Sequence, residues 1–77
     1  MNAEEADERI MKSRQTLRKY AQMVAGGVLP VLDMGLMNDE LDHLERIADR
    51  HPSKLEKIQA LGEEWLSLMA RIRAKLN

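Results

Sequence analysis

Residues 23–37 read MVAGGVLPVLDMGLM, and this stretch separates two charge-rich helical parts of the chain. It carries one charge, Asp33, in a sequence of which 32% is charged. Gly26-Gly27 and Pro30 both disfavour a helix that continues through it. An apolar segment of this kind has to be buried in the chain's own core, against a second copy or against another protein.

The sequence before this segment predicts an amphipathic helix over residues 3–25. Its apolar or small side chains recur every three or four residues, at Ala3, Ala6, Ile10, Ser13, Leu17, Tyr20 and Val24. Such a recurrence places them on one face of a helix. Acidic residues open this helix and Arg18 and Lys19 lie towards its end, an order that the helix dipole favours. Gly26 and Gly27 then supply a stop.

A second helix is predicted over residues 39–51. Asn38 is a good N-cap, and the acidic Asp39 and Glu40 suit a first turn. One face of this helix is apolar, formed by Leu41, Leu44, Ile47 and Ala48. Pro52 disfavours helical geometry at His51 and marks the end. The preceding residues 28–37 suit at most a single helical turn, starting near Pro30 and ended by Gly35.

The third helix is predicted over residues 54–76. Ser53 and Glu56 have the spacing of a capping box. The apolar seam that follows consists of Ile58, Leu61, Trp65, Leu68 and Ile72, widened by Leu55, Met69 and Leu76. So broad a face is typical of a helix that faces the core of a bundle. The fold prediction is therefore an all-α, three-helix bundle in one domain, residues 1–77.

Length and composition favour self-association. Chains of 77 residues bury a small core and often need a disulfide, a metal or a second subunit. The absence of cysteine excludes disulfides and thiolate metal sites, so we expect a homodimer. The apolar segment is shorter than the roughly 20 residues that span a bilayer, and the amino terminus lacks the pattern of a secretion signal. These features predict a cytoplasmic protein that does not enter a membrane.

The apolar segment is also the best candidate for contact with another protein. Flexible methionines can adapt to partner surfaces of different shape. Met11 and Leu66 add to this candidate surface because both fall outside their helices' apolar seams. The predicted partner-binding residues are Leu29, Leu32, Met34, Leu36, Met37, Met11 and Leu66. The sequence therefore predicts a non-catalytic adaptor, regulator or inhibitor, whose acidic second helix steers association with a basic partner surface.

A metal-binding bundle is one alternative. Glu40 and His43 have the E-x-x-H spacing that places a carboxylate and an imidazole one helical turn apart, as in di-iron bundles. Such a site needs a second pair and further carboxylates. A symmetric dimer would duplicate the pair, and Glu63 or Glu64 would contribute the carboxylates. A solvated helix face explains the same residues more simply, so no metal and no cofactor is predicted.

A nucleic-acid-associated regulator is the other alternative. Residues 9–19 carry five positive charges, on Arg9, Lys12, Arg14, Arg18 and Lys19, and no negative charge. These charges spread around the helix, aromatic residues make up 3% of the chain, and the pI is about 6.1. Nucleic-acid binding is therefore disfavoured. Since the sequence also lacks a nucleophile with its base and a phosphate-binding loop, we do not predict an enzyme.

Overall fold

The computed structural model describes residues 1–77 and contains three α-helices and no strand. The helices are α1 (Ala3–Ala25), α2 (Met34–Arg50) and α3 (Leu55–Leu76). Short 3-10 turns, Val31–Asp33 and Pro52–Lys54, lead into α2 and α3. The all-α prediction is confirmed, and α1 has the bounds that its sequence predicts.

Helix α1 is defined at both ends by local chemistry. The Asn2 side chain accepts a hydrogen bond from the amide of Glu5 at 2.9 Å, and the Glu5 carboxylate accepts one from the amide of Asn2 at 3.5 Å. This capping box satisfies two amides that the first turn leaves free. At the other end Gly26 is the C-cap, and Gly27 has φ 89°, which glycine adopts without strain.

The predicted start of the second helix at Asp39 is wrong, because α2 begins at Met34. Asn38 lies inside the helix and does not cap it. Met34 and Met37 extend the three-four spacing of Leu41 and Leu44 towards the amino terminus, so burial of this longer face favours helix. Gly35, which was expected to end a turn, lies within α2 beside open space.

The predicted capping box of the third helix is also wrong. Ser53 lies within a 3-10 turn, and α3 begins at Leu55 without a side-chain cap. The turn is closed by a hydrogen bond from the amide of Lys54 to the carbonyl of His51, at 2.9 Å. Lys54 also reaches across to Asp7 of α1, with Nζ 2.7 Å from Oδ1. Pro52 and this contact with α1, rather than a side-chain cap, fix the turn between α2 and α3.

Helices α1 and α3 run parallel, with α2 antiparallel to both. Asp7 and Lys54 join the amino-terminal ends of α1 and α3. At the opposite end, Lys75 of α3 donates a hydrogen bond to the carbonyl of Val24 in α1, at 3.4 Å. The molecule measures 40 × 19 × 17 Å, and α2 packs more closely on α3 than on α1. The side between α1 and α2 is consequently the more open one.

One apolar core lies between the three helices. Its buried apolar residues come from every helix: Ala6, Ile10, Leu17, Val24, Met37, Leu44, Ile47, Ala48, Ile58, Leu61, Trp65, Leu68, Met69 and Ile72. The predicted seams supply most of them, although Ala3, Leu55 and Leu76 are exposed. None of the three helices combines the length and the apolar character needed to cross a bilayer.

Candidate functional site

The connector, residues 26–33, is an ordered turn that joins α1 to α2. The amide of Val28 donates a hydrogen bond back to the carbonyl of Met23 at 2.8 Å, so the chain reverses directly after α1. Pro30 is buried, and Leu29 packs against the core. The 3-10 turn that follows is closed by a hydrogen bond from the amide of Asp33 to the carbonyl of Pro30, at 3.1 Å.

A side-chain hydrogen bond ties the connector to α1. Tyr20 Oη donates to Asp33 Oδ2 at 3.0 Å. Burial, this hydrogen bond and the negative charge of Asp33 all raise the pKa of Tyr20 above its ordinary value of 10.0. The Tyr20 ring also meets Trp65 edge to face, with 6.1 Å between the ring centroids. The connector is therefore fixed to the core through Tyr20.

Four exposed apolar side chains project from the connector and the first turn of α2. We call this set the connector patch; its members are Val28, Val31, Leu32 and Leu36. Leu32 is 97% exposed and Leu36 is 62% exposed. Because Pro30 and Asp33 hold the backbone on either side, Leu32 is exposed from an ordered turn. Exposed apolar side chains close together in the sequence make this segment a candidate contact surface.

The seven predicted partner-binding residues occupy three different environments. Leu32 and Leu36 are exposed in the connector patch, whereas Leu29 and Met34 are half-buried against the core. Met37 is 1% exposed and belongs to the core, so its prediction as a surface anchor is wrong for the single chain. The periodicity that carries α2 back to Met34 turns Met37 inward.

Met11 and Leu66 are exposed but lie away from the connector patch. Met11 is on the outer face of α1, and Leu66 lines a groove between α2 and α3. The structure therefore does not gather the predicted residues into one surface. It leaves the connector patch at one end of the molecule and a separate apolar groove along its side.

An open cleft of about 430 Å³ lies between α1 and α2, beside Leu36. We call it the polar cleft, because most of its lining residues are polar or charged. Arg9 and Glu40 form a two-pronged ion pair there: Nη1 donates to Oε2 at 2.8 Å and Nη2 donates to Oε1. Sequence reasoning missed this pair, since nothing local relates two residues so far apart in the chain.

The environment of Glu40 favours its ionised form. Burial alone raises the pKa of Glu40, but hydrogen bonds from Arg9 and Ser13, with the charges of Arg9 and His43, outweigh it. The pKa of Glu40 consequently lies below its ordinary value of 4.5. A carboxylate held in this way neutralises Arg9 in a structural ion pair.

A second missed contact lies deeper, where the indole Nε1 of Trp65 donates to the hydroxyl of Ser13 at 3.0 Å. Both residues are buried, so each supplies the other's polar partner. The signal was present in the sequence: a serine on one apolar seam and a tryptophan on another each need a buried hydrogen-bond partner.

Glu40 and His43, the E-x-x-H pair, both line the polar cleft. Glu40 is engaged by Arg9, and no group of three or more His, Cys, Asp or Glu side chains converges as metal ligands. His43 lies beside the polar cleft and shares a smaller pocket with His51, Arg46 and Arg50. The Nε2 atoms of both histidines are buried without a hydrogen-bond partner.

The basic residues of α1 do not form one surface. Arg9 faces α2 in its ion pair with Glu40, and Arg18 lies beside α3 in a groove that also contains Glu64 and Arg71. Lys12 and Lys19 are exposed. The positive charges therefore surround the helix, as their spacing indicates.

Comparisons with known proteins identify no relative of this chain. No protein-family model, no curated protein and no solved structure matches this chain. The functional argument consequently depends on the exposed surfaces described above.

Proposed function

We propose that this protein is a non-catalytic protein–protein interaction module that forms a homodimer through the connector patch. The observation that carries the proposal is the almost complete exposure of Leu32 on an ordered turn, flanked by Val31 and followed one helical turn later by Leu36. Removing such side chains from water is favourable by about 25 cal/mol per Å² of apolar surface. A contact that covers them is the simplest way to obtain this free energy.

The order of the connector supports a binding role. A flexible loop loses conformational entropy when it docks, at a cost of about 1–2 kcal/mol per residue. Here the Tyr20–Asp33 hydrogen bond and buried Pro30 have already fixed the backbone. The connector patch can therefore dock with little further ordering, which increases affinity without any new contact.

The chemistry of the connector patch favours a second copy as its occupant. A two-fold symmetric contact buries the same surface of both subunits, so an unpaired charge on that surface would be buried twice. The connector patch has only aliphatic members, and the adjacent Asp33 is held by Tyr20. Self-pairing is therefore not opposed by an unpaired charge, and it would enlarge the small core of a chain that has no cysteine to cross-link it.

In this proposal the module acts as an adaptor, regulator or inhibitor by presenting its helix faces. Leu32 and Leu36 remain as anchors from the sequence prediction, with Leu29 and Met34 supporting them from below. Dimerisation through one end leaves the sides of all three helices open to another protein.

Charged substitutions in the connector patch test the proposal. We expect Leu32→Asp and Leu36→Asp to weaken dimerisation by at least about tenfold each, because each buries an unpaired carboxylate of both subunits in an apolar contact. Both side chains are exposed, so the helical circular dichroism should persist. Leu66→Asp is the matched control, because this exposed leucine lies in the groove between α2 and α3 and not in the connector patch, and it should leave the dimer intact. Equal dimerisation by all three variants and the natural chain would reject the connector patch as the interface.

A further inference from the structure

A shallow apolar groove runs between α2 and α3, on the opposite side of α2 from the polar cleft. Its volume is about 310 Å³, and the α3 side is formed by Leu55, Gln59, Gly62 and Leu66. Leu55 is 44% exposed and Leu66 is 55% exposed, although each borders buried residues. Nothing in the proposed dimer covers this surface, which we call the α2/α3 groove.

Gly62 has no side chain to fill the α2/α3 groove. A Cβ atom at this position would lie 3.7 Å from Cδ2 of Leu41, at ordinary contact distance. A glycine therefore leaves the half-buried Leu41 side chain accessible between two exposed leucines. Leu55 and Leu66 are about 16 Å apart along α3 at 1.5 Å per residue, which corresponds to three turns of an opposing helix.

The one charged residue that lines this groove is acidic, and exposed acidic residues lie next to it on both helices. Glu45 lines it, and helical periodicity places Asp42 and Asp49 beside Glu45 on the exposed face of α2. Glu56 and Glu63 occupy the corresponding outer face of α3. All the ion pairs of the structure involve Arg9, Lys54 or Lys57, so none of these five carboxylates has a partner within the chain.

We propose that the α2/α3 groove binds a basic amphipathic helix of another protein. Its apolar residues, spaced three and four apart, fit between Leu55 and Leu66 over Gly62, and its flanking lysine or arginine residues face the acidic rims. A second copy of this chain does not suit the groove in a symmetric contact, because the acidic rims would face each other. This inference rests on the proposed function as an interaction module but uses a surface separate from the connector patch.

The probe is a synthetic helix of about 14 residues with leucines at i, i+4, i+7 and i+11 and lysines on both flanks. Amide chemical shifts of the labelled full chain report where it binds. We expect changes confined to the groove, at residues such as Leu41, Gly62 and Leu66, and an affinity that falls as salt screens the rims. A peptide with glutamate in place of lysine should bind at least about tenfold more weakly.

Variants of the chain separate this inference from the dimer proposal. Leu66→Asp should abolish peptide binding while the dimer persists, whereas Leu32→Asp should dissociate the dimer while peptide binding persists. Glu45→Gln should weaken binding several-fold, and Glu8→Gln, the same charge change on exposed α1, should not.

Three results would each overturn the proposal. The first is a lack of saturable peptide binding at low salt. The second is equal binding by a lysine peptide without leucine, which would show charge attraction alone. The third is a set of shift changes outside the groove.

Discussion

Tyr20 of α1 and Asp33 of the connector are joined by a hydrogen bond of 3.0 Å, in which the phenol donates to the carboxylate. This contact connects the exposed turn that carries Leu32 to the aromatic pair Tyr20 and Trp65 at the core. The shape of the connector patch therefore depends on a residue that lies on the preceding helix.

Removing the Tyr20 hydroxyl should loosen the connector. In Tyr20→Phe the ring still packs on Trp65, but Asp33 loses its donor, so we expect a loss of about 1 kcal/mol in the free energy of unfolding. Amide hydrogen exchange at Val31 and Asp33, whose amides donate hydrogen bonds within the connector, should accelerate about fivefold to tenfold. Thr16→Ala is the control, because the Thr16 hydroxyl bonds only within α1. Unchanged exchange in Tyr20→Phe would show that the hydrogen bond does not hold the connector.

Truncation of the neighbouring residues Leu36 and Met37 should change the free energy of unfolding by very different amounts. Met37→Ala removes a side chain that is 1% exposed and should reduce the free energy of unfolding by about 2–5 kcal/mol. Leu36→Ala alters a side chain that is exposed in the single chain, so at a chain concentration too low for the dimer it should change this free energy by no more than about 0.5 kcal/mol. Urea denaturation of each variant, followed by circular dichroism at a fixed chain concentration, measures both. Similar losses would mean that α2 does not begin where the structure places it.

The early start of α2 makes a separate prediction for two glycines. Gly35 lies in the first turns of the helix beside open space, so Gly35→Ala should increase the free energy of unfolding by about 0.5–1 kcal/mol. Gly27 has φ 89°, which an alanine rarely adopts, so Gly27→Ala should decrease it by about 1 kcal/mol or more. Thermal unfolding compares the pair directly. Destabilisation by Gly35→Ala would argue against helix at this position.

Glu40 should contribute to the loss of stability in acid. Since its pKa is lowered in the folded chain, its contribution is present above the ordinary value of 4.5 and is lost as the pH falls through the folded value. Glu40→Gln should therefore lose about 1 kcal/mol at neutral pH and fall less steeply than the natural chain below pH 4.5. Glu45→Gln, which removes an unpaired carboxylate, is the control in the same urea titrations. Parallel curves for the natural chain and Glu40→Gln would show that the Arg9 pair has no such effect.

The fold followed from the sequence where local signals and burial agreed. The bounds of α1 were predictable because its apolar seam and Gly26 coincide with the helix and its end. The start of α2 was not predictable, since Asn38, Asp39 and Glu40 have the residue pattern of a helix start although they lie inside α2. The apolar spacing of Met34 and Met37 with Leu41 was the better signal, because burial contributes more free energy than one cap.

The exposed apolar surfaces were predictable only in part. Uncharged residues between two charged helices pointed to the connector, and its most exposed residue, Leu32, was among those predicted. The inward turn of Met37 depended on where α2 begins. The Arg9–Glu40 and Trp65–Ser13 contacts depended on which helices become neighbours, and periodicity alone does not determine helix order or direction.

The solution mass of the natural chain across a wide concentration range tests the central claim most directly. Light scattering coupled to size-exclusion chromatography should give twice the chain mass of 8.8 kDa, with dissociation on dilution that Leu32→Asp shifts to higher concentration. A mass that remains at 8.8 kDa up to the highest concentration would contradict the homodimer and leave the connector patch without its proposed occupant.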